Sequence, residues 1–328
     1  MPEPVVDRSV PLDRRAALRF GAVGLAGLAL GRSAAGRGPR DASGGTGGKG
    51  RPTKFQIACM TLPYAAFPLE RALTGLSKAG YRHVAWGTTH VEADGKKVPV
   101  VAADAAPGAA KELGKKCRDL GLQPVLMFAG TSPDAANHLE AMTNRLRQAE
   151  AAGIAQVLTF GSTRGGDRKR WVEHFRQLGR VARDRGVLIV IKPHGGLTAS
   201  GVKCREIVAE VADDGVKVNY DAGNVMDYLD IDAAATLADF RKCSDEVRSF
   251  CVKDHRNWPR DEDCGPGFGE IDHYRLLHPV AFTGRTIPLC CENIFAPLLP
   301  RPDKPEKVDA LAKRAREFLA LVVGGVQR

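Results

Sequence analysis

Ionisable side chains recur in this sequence at the points where short apolar segments end. Four of these segments are followed at once by ammonium, imidazole or carboxylate groups, which are the groups of acid–base catalysis and of cation binding. The side chains concerned are Lys192, His194, Asp221, Lys253, His255 and Glu292. A single such residue is more often a helix cap or a turn residue. Because a charge at the end of an apolar segment is costly unless it is paired or functional, the agreement of four segments indicates a site.

Alternating strands and helices are predicted to position these groups. From Lys54 onward, β-branched or apolar runs alternate with segments of helical period. The predicted strands are residues 55–60, 83–86, 123–128, 156–160, 187–192, 216–221, 249–254 and 287–292. The predicted helices lie near residues 69–79, 109–120, 134–152, 169–185, 202–212, 231–243, 271–278 and 304–321. Eight strand–helix units in about 275 residues predict an α/β fold, a single (β/α)8 barrel.

The main alternative fold is a doubly wound open sheet. That fold usually has fewer strands, and residues 59–64, at the end of the first strand and just beyond it, contain no glycine for a dinucleotide-binding turn. In a (β/α)8 barrel the active site lies at the C-terminal ends of the strands. We therefore predict that the six ionisable side chains converge at one rim, and Trp86 and His90 follow the second strand toward the same rim.

Composition and charge exclude several classes of protein. A hydrophobic fraction of 44% and a charged fraction of 26% are typical of soluble globular chains, not of disordered, fibrous or polytopic membrane proteins. The eight cysteines include no CxxC pair, and we interpret them mostly as small buried hydrophobic residues. Half of the net charge of +10 lies before Lys54 and the rest is spread over helix surfaces, so we expect no nucleic-acid partner.

The N-terminal segment is predicted to be an export signal and not part of the barrel. Arg14 and Arg15 precede an uncharged run of 11 residues, 20–30, and small residues at 33–35 suit a signal peptidase. This pattern resembles a twin-arginine translocation signal. The run is too short to span a bilayer of about 30 Å, so we expect no stable membrane anchoring after its removal. We predict an export signal over 1–35, a flexible linker over 36–53 and a barrel over 54–328, in a periplasmic or secreted protein; an uncleaved N-terminal helix is the alternative.

Four motifs give the predicted barrel a resemblance to a known family. In chain order they are residues 218–224 (VNYDAGN), 251–254 (CVKD), 265–272 (GPGFGEID) and 288–293 (PLCCEN). Their order and spacing make the chain similar, from about residue 54 to residue 321, to the xylose-isomerase-like TIM barrels. That family includes sugar phosphate isomerases and epimerases, ketose 3-epimerases and endonuclease IV. The resemblance implies a single (β/α)8 TIM barrel.

The resemblance also implies one divalent metal, held after the fifth to eighth strands by Glu, Asp, His and Glu. Asp221 and Glu292 match this pattern. Lys192 stands where the first Glu is expected, Cys251 where the His is expected, and Asn224 where many members have a second His. A lysine ammonium repels a divalent cation and competes for the same oxygens.

These departures leave two alternatives for the site. In the first, Mg²⁺, Mn²⁺ or Zn²⁺ is bound by Asp221, Glu292 and His194, with another nearby imidazole, amide or thiol filling the remaining positions. The further ligands considered are Asn224, His255 and Cys251. In the second, the site is free of metal, and the ammonium of Lys192 takes the place of the cation and pairs with both carboxylates.

The chemistry that the resemblance implies is removal of a proton next to a carbonyl, through an enediolate. Glu292 is then the general base, and Lys192 replaces the missing Glu as an acid–base group or forms a Schiff base. Lys253 is the third predicted catalytic residue. The predicted substrate-binding residues are His194, Asn224, His255, Trp86 and Trp258. The two tryptophans stack on a sugar face or simply pack in the fold.

Two classes of function follow from these observations. The first is an exported isomerase or epimerase of a carbonyl-containing sugar, or a related keto-sugar lyase, with a small sugar as its partner. The second is a carbohydrate-binding barrel that has lost catalysis together with two of the four expected ligands. An abasic-site endonuclease is disfavoured, because export would separate the protein from DNA and several metal-binding histidines are replaced.

Overall fold

The structure, a computed structural model, describes residues 50–328. The predicted export signal and most of the predicted linker lie outside these residues. Immediately before the first strand, Thr53 is buried and its hydroxyl donates to the Val280 carbonyl at 2.5 Å. The last residue of the predicted linker is therefore packed against the body of the protein. Among the described residues, no helix combines the length and apolarity needed to cross a membrane.

Eight parallel strands close into a barrel, which confirms the predicted (β/α)8 architecture. These strands are β1 (Lys54–Met60), β2 (His83–Trp86), β5 (Gln123–Phe128), β6 (Gln156–Thr159), β7 (Leu188–Ile191), β8 (Val216–Tyr220), β9 (Val247–Val252) and β12 (Thr286–Cys291). Each strand pairs with the next in this order, and β12 pairs with β1, placing Cys59 opposite Cys291. Side chains inside the barrel, such as Met60, Leu126 and Val190, form one apolar cluster, while a larger cluster lies between the strands and the helices.

Four further strands form two short antiparallel hairpins that the sequence did not predict. They are β3 (Thr89–Val91) with β4 (Lys97–Pro99), and β10 (Asp254–Arg256) with β11 (Glu262–Cys264). The hairpins follow β2 and β9, so each extends from the C-terminal end of the barrel. Strands of three residues are too short to show the alternation of apolar and polar residues that identifies a strand in a sequence.

The helices surround the barrel. They are α1 (Leu69–Lys78), α2 (Pro107–Asp119), α3 (His138–Ala152), α4 (Arg168–Asp184), α5 (Gly201–Val211), α6 (Ala222–Leu229), α7 (Ala233–Arg241), α8 (His273–Leu277) and α9 (Pro305–Val326). Two helices, α6 and α7, connect β8 to β9 where one was predicted. Helix α6 begins directly after its strand because the Asp221 side chain caps it, accepting from the Asn224 backbone N–H at 3.0 Å.

All eight cysteines are buried and free, in agreement with their interpretation as small hydrophobic residues. Cys290 belongs to the cluster inside the barrel and its neighbour Cys291 to the cluster under the helices. Adjacent residues of a strand point to opposite faces, and this alternation separates the two thiols.

Candidate active site

The C-terminal ends of β7, β8, β9 and β12 bring most of the predicted ionisable residues to one rim. Lys192 follows β7, Asp221 follows β8, Lys253 follows β9 and Glu292 follows β12. These four strands lie side by side in the barrel, in the order β7, β8, β9 and β12. The rule that parallel strands end at a common edge was therefore sufficient to place these four side chains together.

The ammonium of Lys192 lies between two carboxylates. Nζ donates to both carboxylate oxygens of Glu292, each at 2.8 Å, and lies 3.1 Å from Oδ2 of Asp221. The rings of Phe128 and Phe160 flank the same nitrogen at 5.8 and 5.7 Å from their centroids. A cation next to aromatic faces gains further electrostatic stabilisation. The lysine is therefore held as a fixed positive charge at the rim.

The electrostatics of this group favour ionised Lys192 and Glu292. Burial alone would lower the pKa of Lys192, but the charges of Glu292 and Asp221 outweigh burial and raise it well above its usual value. Burial opposes ionisation of Glu292 as well, yet the two ammonium groups of Lys192 and Lys253 lower its pKa. Asp221 is fully buried, and desolvation raises its pKa. Because a Schiff base requires a neutral amine, the resting state of Lys192 disfavours that predicted role.

A second group of charged side chains, Lys253, Asp263 and His255, adjoins the group formed by Lys192, Asp221 and Glu292. Nζ of Lys253 donates to Oδ2 of Asp263 at 2.5 Å, and Oδ1 of Asp263 accepts from Nδ1 of His255 at 3.0 Å. His255 and Asp263 face each other across the β10–β11 hairpin. Burial would lower the pKa of His255, but the hydrogen bond and the charge of Asp263 raise it. The Asp263 carboxylate therefore accepts hydrogen bonds from both His255 and Lys253, and through it the hairpin holds His255 in place.

Lys253 reaches this position across a glycine. A Cβ atom built on Gly223, in helix α6, would lie 2.8 Å from Cγ of Lys253 and 2.9 Å from its Cε. Real Cβ atoms do not approach other carbons so closely, so a residue with a Cβ at position 223 would force the Lys253 side chain to shift from this position. The glycine of the Asp-Ala-Gly-Asn motif is thus part of how the site is built.

The residues that would hold the family's divalent ion do not fit such an ion in this arrangement. Asp221, Cys251 and Glu292 each offer one ligand atom, and these atoms lie within 4.8 Å of one another. The Lys192 ammonium occupies the space beside both carboxylates. Burial raises the pKa of the Cys251 thiol well above its usual value, so this ligand would have to lose its proton against desolvation. The positive charge at this place is supplied by the lysine.

His194 lies at the rim but apart from the carboxylates. Its Nδ1 is 3.3 Å from the Gly161 carbonyl, and its ring packs against Phe160 at 4.2 Å and Tyr228 at 5.4 Å between centroids. The structure does not bring it into the group of Asp221, Cys251 and Glu292 within the described residues, which argues against its predicted role as a metal ligand. Burial and the charge of Lys192 lower its pKa, so the imidazole is neutral near pH 7.

A cavity of about 400 Å³ opens beside these groups. Phe128, Phe160, Thr159 and His194 are among its lining residues, so it lies at the C-terminal ends of β5, β6 and β7. A neighbouring cavity of about 310 Å³ shares Phe128 and is lined by Trp86. Cavities of this size suit a small molecule such as a monosaccharide.

The other predicted substrate-binding residues occupy different surroundings. Trp86 is buried and forms a wall of the second cavity. Trp258 is 80% exposed on the loop between β10 and β11, and it lines neither of the two cavities. The side-chain nitrogen of Asn224 donates to the Pro193 carbonyl at 2.6 Å, which ties the start of α6 to the loop after β7. The structure therefore gives Asn224 a local partner and leaves Trp258 to solvent.

Sequence reasoning missed Phe128, Phe160 and Asp263 as parts of the site. Phe128 and Phe160 are the last residues of two predicted strands, so the same rule that selected the ionisable residues could have found them. Asp263 gave no such signal, because its position depends on a hairpin too short to recognise in the sequence.

Asp254, next to Lys253, has an architectural role. Its buried carboxylate accepts from the backbone N–H groups of His255, Gly267 and Ile271 at 2.9 to 3.0 Å, and lies 3.3 Å from Nε2 of His273. Burial opposes its ionisation, but His273 and the backbone donors lower its pKa. Asp254 thereby ties the glycine-rich loop, residues 265–269, and Ile271 just after it to the start of β10.

We expect Asp254→Asn to lower the free energy of unfolding by about 2 kcal/mol at pH 7, because an amide nitrogen replaces an acceptor of buried hydrogen bonds. Urea denaturation measures this difference. Since the folded pKa of Asp254 is lowered, its contribution is complete above the unfolded value of about 3.9 and is lost as the pH falls through the folded value. The exposed Asp119→Asn is the control, with an expected change within about 0.5 kcal/mol. Equal stability of both variants would contradict this role.

Comparison with known proteins adds a family and a set of similar folds. The profile of the xylose isomerase-like TIM barrel family matches residues 75–319. None of the curated proteins matches the chain. A xylose isomerase-like TIM barrel protein from Mycobacterium smegmatis, solved in complex with magnesium, superposes with a TM-score of 0.64 at 16% identity, over 85% of this chain and 98% of that one.

Two sugar epimerases share the fold to a similar degree. The D-psicose 3-epimerase of Clostridium cellulolyticum H10, solved with D-tagatose, has a TM-score of 0.61 at 13% identity, over 82% of this chain and 99% of that one. An L-ribulose 3-epimerase has a TM-score of 0.62 at 17% identity, over 83% and 95% of the two chains. These are likenesses of fold.

Proposed function

The chain belongs to the xylose isomerase-like TIM barrel family, and from that premise we propose that it is an enzyme of the sugar isomerase and epimerase kind. Its substrate is a small carbonyl-containing sugar bound at the barrel rim. The observation that carries this proposal is the ammonium of Lys192, held within 3.1 Å of two carboxylates, Asp221 and Glu292, at the place where the family pattern has a metal. The similar epimerase folds support the same kind of reaction.

The proposed reaction begins with loss of a proton from the carbon next to the carbonyl. The C–H electron pair becomes a C=C bond, and the carbonyl π pair moves onto oxygen to give an enediolate. Lys192 donates an N–H to that oxygen and stabilises its developing charge. Because the pKa of Lys192 is raised, the lysine keeps its proton and acts as a fixed cation throughout.

Glu292 is the proposed general base. Its side chain is 13% exposed, whereas that of Asp221 is fully buried, so Glu292 is the carboxylate that a substrate can reach. When the substrate oxygen takes an N–H of Lys192, one oxygen of Glu292 loses its partner, and its affinity for a proton rises. His194, in the wall of the adjoining cavity, is the proposed second acid–base group, and it first takes up a proton from solvent to act as an acid. Delivery of that proton from the imidazolium to the opposite face yields an epimer, and Glu292 then releases the abstracted proton to solvent. Return of the abstracted proton from Glu292 to the adjacent carbon, with the hydroxyl proton passing to the enediolate oxygen, yields an isomer.

The second candidate is a carbohydrate-binding barrel without catalysis. It is favoured by the two hydrogen bonds that the Glu292 carboxylate accepts from Lys192, because a carboxylate with both oxygens hydrogen-bonded is a weak base. A panel of aldoses and ketoses in D₂O separates the candidates. We expect proton NMR to show that deuterium enters the position next to the carbonyl of one sugar. This exchange should persist in the presence of a chelator, because Lys192 and not a metal supplies the positive charge. A sugar that binds without exchange supports the silent barrel, and a dehydrated product supports a lyase.

We also propose export through the twin-arginine route, on the basis of Arg14, Arg15 and the short apolar run after them. N-terminal sequencing of the mature protein is expected to begin near Gly36, since the residues before it suit a signal peptidase. The control is Arg14→Lys with Arg15→Lys, which keeps the charge but removes the arginine pair and should retain the precursor in the cytoplasm. A wild-type chain that starts at Met1 and stays in the cytoplasm would overturn the proposal.

A further inference from the structure

A second group of potential ligands lies outside the carboxylates of the proposed active site. Asp227 near the end of α6, His255 on β10 and Asp261 in the loop after β10 each offer one ligand atom, and these atoms lie within 4.8 Å of one another. Asp227 and Asp261 are exposed, whereas His255 is only 1% exposed. The group therefore combines a buried imidazole with two carboxylates open to solvent.

The orientation of His255 is that of a metal-ligating histidine. Asp263 can only accept, so Nδ1 at 3.0 Å is the donor of their hydrogen bond. Histidines that bind metals commonly donate the other ring N–H to a carboxylate in this way, which fixes the tautomer and directs Nε2 at the ion. Here Nε2 is buried and has no hydrogen-bond partner in the described structure.

The spacing of the atoms around Nε2 suits a small cation. Oδ1 of Asp261 lies 3.1 Å from Nε2 without the geometry of a hydrogen bond. In a tetrahedral zinc site, bonds of about 2.0 Å place two ligand atoms about 3.3 Å apart. An imidazole nitrogen and carboxylate oxygens at such a separation suit Zn²⁺ or Mn²⁺ better than Mg²⁺, which prefers oxygen ligands and water.

We propose that Asp227, His255 and Asp261 form a binding site for one divalent transition-metal ion, Zn²⁺ or Mn²⁺, at the edge of the barrel rim. The ion completes its coordination with water on the exposed side of the two carboxylates. Its position is distinct from that of Asp221 and Glu292, where Lys192 supplies the positive charge. The proposal does not depend on the sugar reaction.

The test is calorimetric titration of chelator-treated, full-length protein with ZnCl₂ or MnCl₂ alone, at about pH 8, well above the ordinary imidazole pKa because the pKa of His255 is raised and a proton on Nε2 would compete with the metal. We expect one equivalent to bind to the wild type. Asp227→Asn and Asp261→Asn should each weaken binding by at least about 10-fold, because each removes a charged ligand. The matched control is Asp94→Asn, since Asp94 is 53% exposed where Asp261 is 57% exposed and lies outside the group.

The same titration identifies the outcomes that overturn the proposal. Absence of binding to the folded wild type at millimolar metal would show that Asp261 only pairs with the charge of His255 and is not a metal ligand. Equal affinity in Asp94→Asn and Asp261→Asn would show adventitious surface binding. Binding that survives Asp261→Asn but is lost in Glu292→Gln would place the ion at the other carboxylates. Circular dichroism confirms that each variant is folded.

Discussion

Lys192→Met is expected to lower turnover of the sugar that shows deuterium exchange by at least about 100-fold. Methionine preserves the length and much of the volume of the side chain but removes the positive charge beside the developing enediolate oxygen. The two carboxylates then keep only the Lys253 ammonium as a nearby cation, so the pKa of each rises, and a carboxylate that takes up a proton no longer serves as a base. Steady-state rates and the rate of deuterium exchange both measure the loss.

Lys217→Met is the matched control for this variant. Lys217 is also largely buried, with a side chain that is 12% exposed, and it also pairs with two carboxylates, Asp214 at 3.0 Å and Glu246 at 2.9 Å. It lies near the start of β8, at the end of the barrel opposite the site. We expect it to retain full activity. Full activity of Lys192→Met, together with dependence on a metal that a chelator removes, would assign the charge to the metal and not to the lysine.

Lys192→Glu is expected to create a metal site where the wild type has an ammonium. Three carboxylates, Glu at 192 with Asp221 and Glu292, would face one another and attract a divalent cation that the lysine repels. We expect one equivalent of Mn²⁺ to bind in addition to any that the wild type binds, at least about 100-fold more tightly than at this place in the wild type. Electron paramagnetic resonance of Mn²⁺ counts the equivalents.

The control for this gain is Lys192→Gln, which removes the ammonium without adding a carboxylate. It should bind the additional Mn²⁺ more weakly than Lys192→Glu. An unchanged number of bound ions in Lys192→Glu would show that geometry, and not charge, prevents metal binding between Asp221 and Glu292. An additional ion in the wild type that is lost in Glu292→Gln would show that the lysine does not exclude metal at all.

The barrel itself could be predicted because its signals are repeated. Each of the eight strands is an apolar run in the sequence. Glycines 80, 121 and 153, with φ of +85°, +76° and +73°, follow helices at the positions that the sequence indicated. The strand ends in turn located Lys192, Asp221, Lys253 and Glu292. The family, too, could be predicted, from the order and spacing of four motifs, and the family profile matches residues 75–319.

The parts of the site that the sequence did not reveal depend on short or individual interactions. The β10–β11 hairpin has strands of three residues, so neither the pairing of His255 with Asp263 nor the link from Asp263 to Lys253 leaves a periodic pattern. Asp254 has the residue type of a catalytic acid, and only its four partners in space identify it as a structural anchor. The position of Trp258 likewise depends on the loop that carries it.

The close approach of Lys253 to Gly223 makes the residues at these two positions interdependent. A Cβ atom at position 223 would lie 2.8 Å from Cγ of the lysine, so any larger residue there requires the buried lysine side chain to shift. A larger residue at position 223 therefore fits more easily when position 253 carries a short side chain. The two positions form an energetically coupled pair: the effect of a substitution at one depends on the residue at the other, so the two changes are not expected to be additive.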